Sequence, residues 1–161
     1  MKPMTTCLWF DVEAEEAVQF YTSIFPNSSA GRIVRYTKDG FEFHGKPEGS
    51  ICTIEFEING AQFIALNGGN VFKFNEAVSL IINCDSQDET DYYWEKLSEG
   101  GDPGAQQCGW LKDKYGVSWQ IVPVEFTDII SSTDKTIAEK AMKILFTMKK
   151  LDVNELKKAL I

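Results

Sequence analysis

One stretch of the sequence gathers side chains of several chemical types within a short span. Residues 108–123, CGWLKDKYGVSWQIVP, hold two tryptophans, two lysines, an aspartate, a cysteine and a glutamine. Amide and carboxylate oxygens can bind a metal ion or a polar ligand, and indole rings can pack against an apolar one. The same letters also fit a β-hairpin that turns near Tyr115-Gly116 and exposes a polar face. The stretch therefore predicts either a catalytic strip or an ordinary hairpin.

Outside this stretch the reactive side chains form no catalytic pattern. The one histidine, His44, falls in a polar loop, and no G-x-S-x-G motif supplies a serine for it to activate. The four cysteines are scattered in apolar runs without a C-x-x-C pair, which is typical of buried thiols in a reducing compartment. The acids of Glu13–Glu16, and those at Glu55 and Glu57, fit a helix start and the solvated face of a strand.

A series of predicted elements leads up to the middle of the chain. A strand over residues 5–10 ends at Asp11, which can cap a helix whose apolar side chains recur at helical spacing as far as Phe25. A strand near residues 31–37 and a polar loop follow. The letters SICTIEFEI-NG-AQFIAL then predict a hairpin, because Asn-Gly between two alternating runs favours a two-residue turn.

A second series repeats this order, and a helical tail follows it. A strand at residues 78–84 leads into a helix opened by a capping box between Ser86 and Glu89, and the hairpin within residues 108–123 closes the series. Apolar side chains at helical spacing in residues 134–150 predict an amphipathic tail. A tail of this kind usually covers the sheet of its own domain or that of a partner.

The bulk composition narrows the class of protein. A chain of 161 residues with 43% hydrophobic and 25% charged side chains is typical of one soluble globular domain. The net charge of −8 argues against nucleic acid, because phosphates are bound by clustered Lys and Arg. No apolar run approaches the roughly 20 residues of a membrane helix, and the start, MKPMTTCLWFD, does not resemble a signal peptide. We therefore expect a cytoplasmic protein that binds neither nucleic acid nor membranes.

Three segments resemble one branch of a known superfamily. They are LWFDVEAEEAVQFYTSIFP, ALNGGNVFKFNEAVSLIINCDSQDETDYYWEKLSEGG and CGWLKDKYGVSWQIVP. They are similar to the PhnB-like branch, labelled 3-demethylubiquinone 3-methyltransferase, of the vicinal oxygen chelate superfamily, which includes glyoxalase I, extradiol dioxygenases and bleomycin and fosfomycin resistance proteins. The resemblance implies an α+β fold in which a glyoxalase-like domain, residues 1–126, comprises two βαβββ modules with curved mixed sheets, residues 1–70 and 71–126. Residues 127–161 form the helical tail, and modules pair in a homodimer.

The resemblance also implies where a metal ion would bind. In metal-dependent members the ligands are His, Gln or Glu from the first and fourth strands of each module. The matching positions here are Thr5, Ile64, Ser79 and Gln120, or Cys7 if the first strand is shifted by two residues. Isoleucine has no lone pair and hydroxyls are poor ligands for Zn²⁺ or Fe²⁺, so only Gln120 could coordinate. We therefore expect no metal cofactor, with a weakly held divalent metal as the alternative.

Strand alternation predicts a cavity that is mostly apolar and aromatic, with a few neutral hydrogen-bonding groups. Such a lining is usual for a small-molecule site. Trp119 lies on the opposite side of its strand from Gln120 and is predicted to belong to the core. The predicted ligand-binding residues are Thr5, Cys7, Trp9, Ile64, Ser79, Ile81 and Gln120.

These positions favour a small-molecule binding protein with a degenerate metal site and an unidentified ligand. Two alternatives stay open: an enzyme of the same superfamily, of lyase, dioxygenase or transferase type, with a weakly held divalent metal, and a structural dimer whose cavity is closed. The methyltransferase label has no support in the residues. Binding of S-adenosylmethionine usually uses a glycine-rich turn after the first strand, and here that strand runs into Asp11-Val-Glu-Ala14.

Overall fold

The computed structural model describes residues 3–160, so the first two positions of the predicted first module and the last position of the predicted tail lie outside it. The chain divides into two compact units, Met1–Lys73 (unit 1) and Phe74–Ile161 (unit 2), which are described separately. Within residues 3–160, no helix combines the length and the apolar character needed to cross a bilayer.

Unit 1 has the predicted βαβββ order. Its elements are β1 (Thr6–Phe10), α1 (Ala14–Ile24), β2 (Ser28–Arg35), α2 (Phe41–His44), β3 (Ile51–Ile58) and β4 (Ala61–Asn67). The strands form one sheet in the order β1-β4-β3-β2, in which β1 runs parallel to β4 and the other pairs are antiparallel.

The core of unit 1 lies between α1 and one face of this sheet. The apolar spacing of α1 buries one side of the helix, and the Tyr21 ring stacks near Phe56 of β3 at 6.1 Å between centroids. Alternate residues of β3 and β4 are buried against the helix, so the intervening side chains line the opposite, open face of the sheet. The fully or nearly buried residues of α1 are Ala14, Ala17, Val18, Tyr21 and Ile24.

Two local predictions in unit 1 have different outcomes. The Asn59-Gly60 hairpin is confirmed: both residues have positive φ, 47° and 82°, as a tight two-residue turn requires. The prediction that Asp11 caps α1 is wrong, because the N-cap residue is Glu13 and makes no side-chain cap. The side chain of Asn67 replaces it by accepting the N–H of Ala14 at 2.9 Å.

Unit 2 begins on the same plan but forms a smaller sheet. Its elements are β5 (Leu80–Cys84), α3 (Gln87–Ser98), a 3₁₀ turn (Pro103–Ala105), β6 (Trp110–Lys112), β7 (Ser118–Pro123), α4 (Val124–Ile130), α5 (Lys135–Leu145) and α6 (Val153–Leu160). The three strands lie in the order β5-β7-β6, with β5 parallel to β7. The predicted α+β fold with two mixed sheets and a helical tail is confirmed, but the second sheet has three strands where the resemblance implied four.

The missing strand of unit 2 has a local cause. Residues 99–109, between α3 and β6, include four glycines and Pro103, and they contain the 3₁₀ turn. Proline cannot donate to a ladder and glycine costs strand entropy, so this segment is poorly suited to an edge strand. The capping box at the start of α3 is confirmed: Ser86 Oγ accepts the N–H of Glu89, and the Glu89 carboxylate accepts the N–H of Asp85.

The helical tail packs on unit 2 itself. Helices α4, α5 and α6 share a core, and Val122 at the end of β7 is packed against it. The connection between α5 and α6 also accepts two backbone hydrogen bonds from the residues just before β6. Cys108 N–H donates to Met148 O at 2.9 Å, and Gly109 N–H donates to Lys149 O at 2.7 Å. The buried residues of this core are Phe126, Ala141, Met148, Leu151, Val153 and Leu156. The tail therefore covers its own sheet beside the start of β6.

Candidate functional site

The open face of the unit 1 sheet carries three of the predicted ligand-binding residues, Cys7, Ile64 and Trp9. Cys7 on β1 lies directly opposite Ile64 on β4, and Ile64 lies opposite Glu55 on β3. Opposite residues share a face, so these side chains form one row across the sheet. Glu55 is paired with Arg32. Thr5 precedes β1 and is exposed. The β1 residue opposite Ile64 is therefore Cys7, the position that the two-residue shift selects, and not Thr5.

Trp9 lies on the same face but is engaged by the loop after β4. Its indole N–H donates to Gly69 O at 2.7 Å, and its ring meets Phe72 edge to face at 4.9 Å. A Cβ at Gly68 would lie 2.3 Å from the ring, so only glycine allows this approach. The indole therefore offers an apolar surface, while its single donor is already satisfied within unit 1.

The open face of the unit 2 sheet centres on Gln120. In the strand register Gln120 lies between Ile81 on β5 and Trp110 on β6. Its side-chain amide donates to Ser79 Oγ at 2.8 Å, so the structure brings together two of the predicted residues. Ile81 is 56% exposed, and Gln120 and Trp110 are half-buried. The result is a hydrogen-bonded amide between an aliphatic and an aromatic side chain on an accessible surface.

The row below Gln120 contains a buried hydroxyl and an ion pair. Ser118 lies opposite Lys112, is only 3% exposed, and its Oγ has no hydrogen-bond partner within residues 3–160. The Lys112 ammonium pairs with Glu76, and this hydrogen bond lowers the pKa of the Glu76 carboxyl. The ammonium and the carboxylate compensate each other, so this pair adds no net charge to this end of the face.

Sequence reasoning missed the role of Asp113, which lies two residues before the predicted turn at Tyr115-Gly116. Its side chain is 3% exposed and accepts N–H groups from Tyr115 at 2.9 Å, Val117 at 3.0 Å and the Trp119 indole at 2.8 Å. An aspartate that begins a turn commonly accepts backbone N–H groups two to four residues on, and that rule could have identified it. Trp119 is 3% exposed, which confirms it as core. Asp113 therefore fixes the hairpin that presents Gln120.

These residues do not fit a metal ion. Across the part of the chain that the structure describes, no three His, Cys, Asp or Glu side chains lie close enough to share one. The unit 1 row offers a thiol, an aliphatic side chain and the arginine-paired Glu55, and the unit 2 row offers one amide between Ile81 and Trp110. Divalent metals in proteins need several oxygen, nitrogen or thiolate donors that converge, and neither row supplies them.

The residues do not fit S-adenosylmethionine either. The connection from β1 to α1 contains no glycine, and the N–H groups of Val12 and Ala14 at this helix start are taken by Glu13 and Asn67. Among residues 3–73 of unit 1, only β1 and β4 are parallel, so this part of the sheet has no doubly wound crossover of the kind that cradles a nucleotide.

Comparison with known proteins covers both units but leaves out most of the helical tail. The sequence profile of a family described as 3-demethylubiquinone-9 3-methyltransferase matches residues 2–122. A solved PhnB protein from Bacillus cereus with the same methyltransferase description is 35% identical, over 76% of this chain and 100% of that one, with a TM-score of 0.64.

A second solved structure shares the fold at lower identity. Protein PA1353 from Pseudomonas aeruginosa is 18% identical, over 76% of this chain and 98% of its own, with a TM-score of 0.57. No functionally curated protein matches the sequence significantly. The family profile ends at residue 122, within β7, so α4–α6 lie beyond the part of the chain that it matches.

Proposed function

The chain belongs to the 3-demethylubiquinone-9 3-methyltransferase family, the PhnB-like branch of the vicinal oxygen chelate superfamily, and within it we propose a small-molecule binding protein that needs no metal ion. The observation that carries the proposal is the Gln120–Ser79 pair on the open face of unit 2, beside Ile81 and Trp110. Few polar groups on an apolar and aromatic surface are the usual composition of a ligand site.

The chemistry of this surface favours a flat, weakly polar ligand. Because the Gln120 N–H₂ group donates to Ser79, its carbonyl oxygen is left to accept a hydrogen bond from a ligand hydroxyl or amine. The Trp110 ring and the exposed Ile81 side chain would remove apolar ligand surface from water. Charged groups contribute little, since Lys112 and Glu76 neutralise each other.

The test is ligand-dependent thermal melting with panels of aromatic and cationic compounds in the presence of a chelator. We expect compounds that stabilise the wild-type chain to stabilise the Gln120→Leu, Ser79→Val double variant much less. Gln62→Leu, which removes an exposed amide from the hairpin end of β4 in unit 1, is the matched control and should respond as wild type does. Equal stabilisation of wild type and the double variant would remove this face from consideration.

A metal-dependent enzyme is favoured by one observation, the free amide oxygen of Gln120, which stands where metal-binding relatives place a glutamate. It makes a different prediction in the same experiment. Protein purified without chelators would contain a stoichiometric divalent metal, and ligand stabilisation would disappear on chelation. Retention of ligand binding in chelator, together with substoichiometric metal, would leave the metal-free binding protein.

A further inference from the structure

Unit 1 contains a second candidate site, separate from the Gln120 face. A pocket of about 360 Å³ opens where the end of β2, the end of β4 and the start of α1 meet, and its volume lies in the range of small-molecule sites. Both charged and apolar side chains line it. The lining residues are Val12, Glu15, Arg35, Lys46, Pro47, Ser50, Ile51 and Asn67.

The floor of this pocket is held in place by hydrogen bonds of Asn67. Its side chain accepts the N–H of Ala14 at 2.9 Å and donates to Ile51 O at 3.1 Å, and its carbonyl accepts the Tyr36 hydroxyl at 2.8 Å. Desolvation, and then a hydrogen bond with Cys52, raise the pKa of Tyr36 to about 12, and the protonated hydroxyl is the donor to Asn67 O. The pocket is therefore rigidly built before any ligand arrives.

The charges around the pocket are only partly compensated. The Lys46 side chain is 18% exposed, and its ammonium donates to Asp11 O at 3.2 Å and lies 3.8 Å from the Asp11 carboxylate. Arg35 donates one N–H group to Gly49 O at 2.9 Å and pairs with no carboxylate in the described chain. Glu15 likewise has no cationic partner among residues 3–160. One guanidinium and one carboxylate thus line the same pocket without pairing with each other.

We propose that this pocket binds a small zwitterion of the α-amino acid type with an aliphatic side chain. The ligand carboxylate would bind Arg35 and Lys46, and its ammonium group would bind Glu15. A guanidinium favours a carboxylate because its planar fork can donate two parallel hydrogen bonds. The ligand side chain would lie against the apolar part of the lining, Val12, Pro47 and Ile51.

Ligands with a single charge fit less well. A simple carboxylate would approach Arg35 but would also face the unpaired Glu15, and like charges repel. A simple amine would meet the opposite difficulty at Arg35 and Lys46. A zwitterion satisfies both sides at once, which is the reason for the choice.

The first experiment compares three ligands of nearly one shape by calorimetric or NMR titration of the full chain. They are L-leucine, 4-methylpentanoate, which lacks the ammonium group, and 3-methylbutylamine, which lacks the carboxylate. We expect L-leucine to bind on the order of tenfold more tightly than either analogue, the difference that one charge-assisted contact gives. Equal affinity for all three, or no binding of L-leucine at millimolar concentration, would overturn the proposal.

The second experiment tests which protein side chain binds the ligand carboxylate and which binds its ammonium group. Arg35→Gln should reduce the preference for L-leucine over 3-methylbutylamine several-fold, with Lys46 supplying the remainder, and Glu15→Gln should abolish the preference over 4-methylpentanoate. The chain supplies matched controls: Arg32 lies on the same strand and Glu16 in the same helix turn, and neither lines the pocket.

Arg32→Gln and Glu16→Gln should therefore keep both preferences, and all four variants should melt within a few degrees of wild type because these side chains are exposed. If a variant and its control lost the same ligand preference equally, the effect would come from the net charge of the protein, and the proposed site would be contradicted. The Gln120→Leu, Ser79→Val double variant should keep L-leucine binding, which separates this proposal from the one for unit 2.

Discussion

Both sheets place their first strand parallel to their last strand, with an antiparallel strand on the other side of that last strand. They differ in what lies beyond the antiparallel strand. In unit 1 the antiparallel strand β2 borders β3, so residues 28–67 close the sheet locally. Among residues 74–160 of unit 2, no strand borders β6 on that side. A connection far along the chain, Met148–Lys149, accepts the N–H groups of Cys108 and Gly109 instead. A module of this fold can therefore lack an edge strand when a helical tail accepts backbone hydrogen bonds beside the sheet and covers apolar side chains at its end.

The largest effect should come from the tail core. Leu156 is fully buried among α4–α6, so Leu156→Ala should cost about 2–5 kcal/mol of the free energy of unfolding of unit 2. Hydrogen exchange should show faster opening at β6 and β7 amides and unchanged protection at β3 and β4. Phe146→Ala, at a side chain that is 64% exposed, is the control and should cost about 1 kcal/mol or less. Equal loosening of both sheets would contradict the comparison.

The next largest effect should be a difference in stability between variants at the two hairpin turns. Asp113→Ala would leave buried donors of Val117 and Trp119 unsatisfied, at about 1–3 kcal/mol for each donor that water cannot reach. At the corresponding turn of unit 1, Asn59 is exposed and holds a φ of 47°, so Asn59→Ala should cost only about 1–2 kcal/mol of backbone strain. Chemical denaturation of both variants measures the difference, and an equal or larger loss at Asn59 would contradict the greater weight given to Asp113.

A third comparison separates backbone strain from crowding. Gly109 and Gly60 have nearly equal φ values, 84° and 82°, but a Cβ at Gly109 would lie 3.0 Å from Leu151 and 3.1 Å from Ile121 O, whereas one at Gly60 meets nothing within 4 Å. Both Gly→Ala variants should lose about 1–2 kcal/mol through strain, and the Gly109 variant should lose more because the tail must shift. Equal losses by thermal melting would mean that the tail adapts freely.

The smallest effect is electrostatic. Partial burial disfavours the charged form of Asp91, but hydrogen bonds from Lys150 and Gln87 outweigh it and lower the pKa of this carboxyl. A lowered folded pKa stabilises the fold above the ordinary carboxyl pKa of about 4, and that contribution disappears as the pH falls through the folded value. Lys150→Met should therefore cost roughly 0.5 kcal/mol at pH 7 and nothing near pH 2, measured by urea unfolding. A constant difference across this range would assign the loss to packing.

Predictions from the sequence succeeded where the determining contacts are close in the chain. The Asn59-Gly60 turn and the Ser86–Glu89 capping box depend on neighbouring residues, and both are confirmed. Strand alternation also separated Trp119 from Gln120 correctly, because one side of a strand must face the helix.

Apart from Asp113, whose partners lie two to six residues on, and the glycine-containing segment 99–109, the failures involve partners that are remote in sequence. Asn67 takes the place of Asp11 at the start of α1 across 53 positions of the chain. The backbone of residues 148–149 accepts hydrogen bonds that no side-chain pattern could announce, since every residue carries the same carbonyl. The charged pocket of unit 1 combines α1, β2, β4 and a loop, so Glu15 and Arg35 could not be connected before the sheet order was known.

The backbone bonds between residues 108–109 and 148–149 also order events during translation. All strands and the core helix of unit 1 lie within residues 6–67, so this unit can fold while the ribosome is still synthesising the rest of the chain. Unit 2 must wait until residues beyond Leu156 have left the exit tunnel, with β6 and β7 already made. During that interval Val122, at the end of β7, lacks the tail core against which it packs, so the nascent second unit exposes apolar surface for longer than unit 1 does.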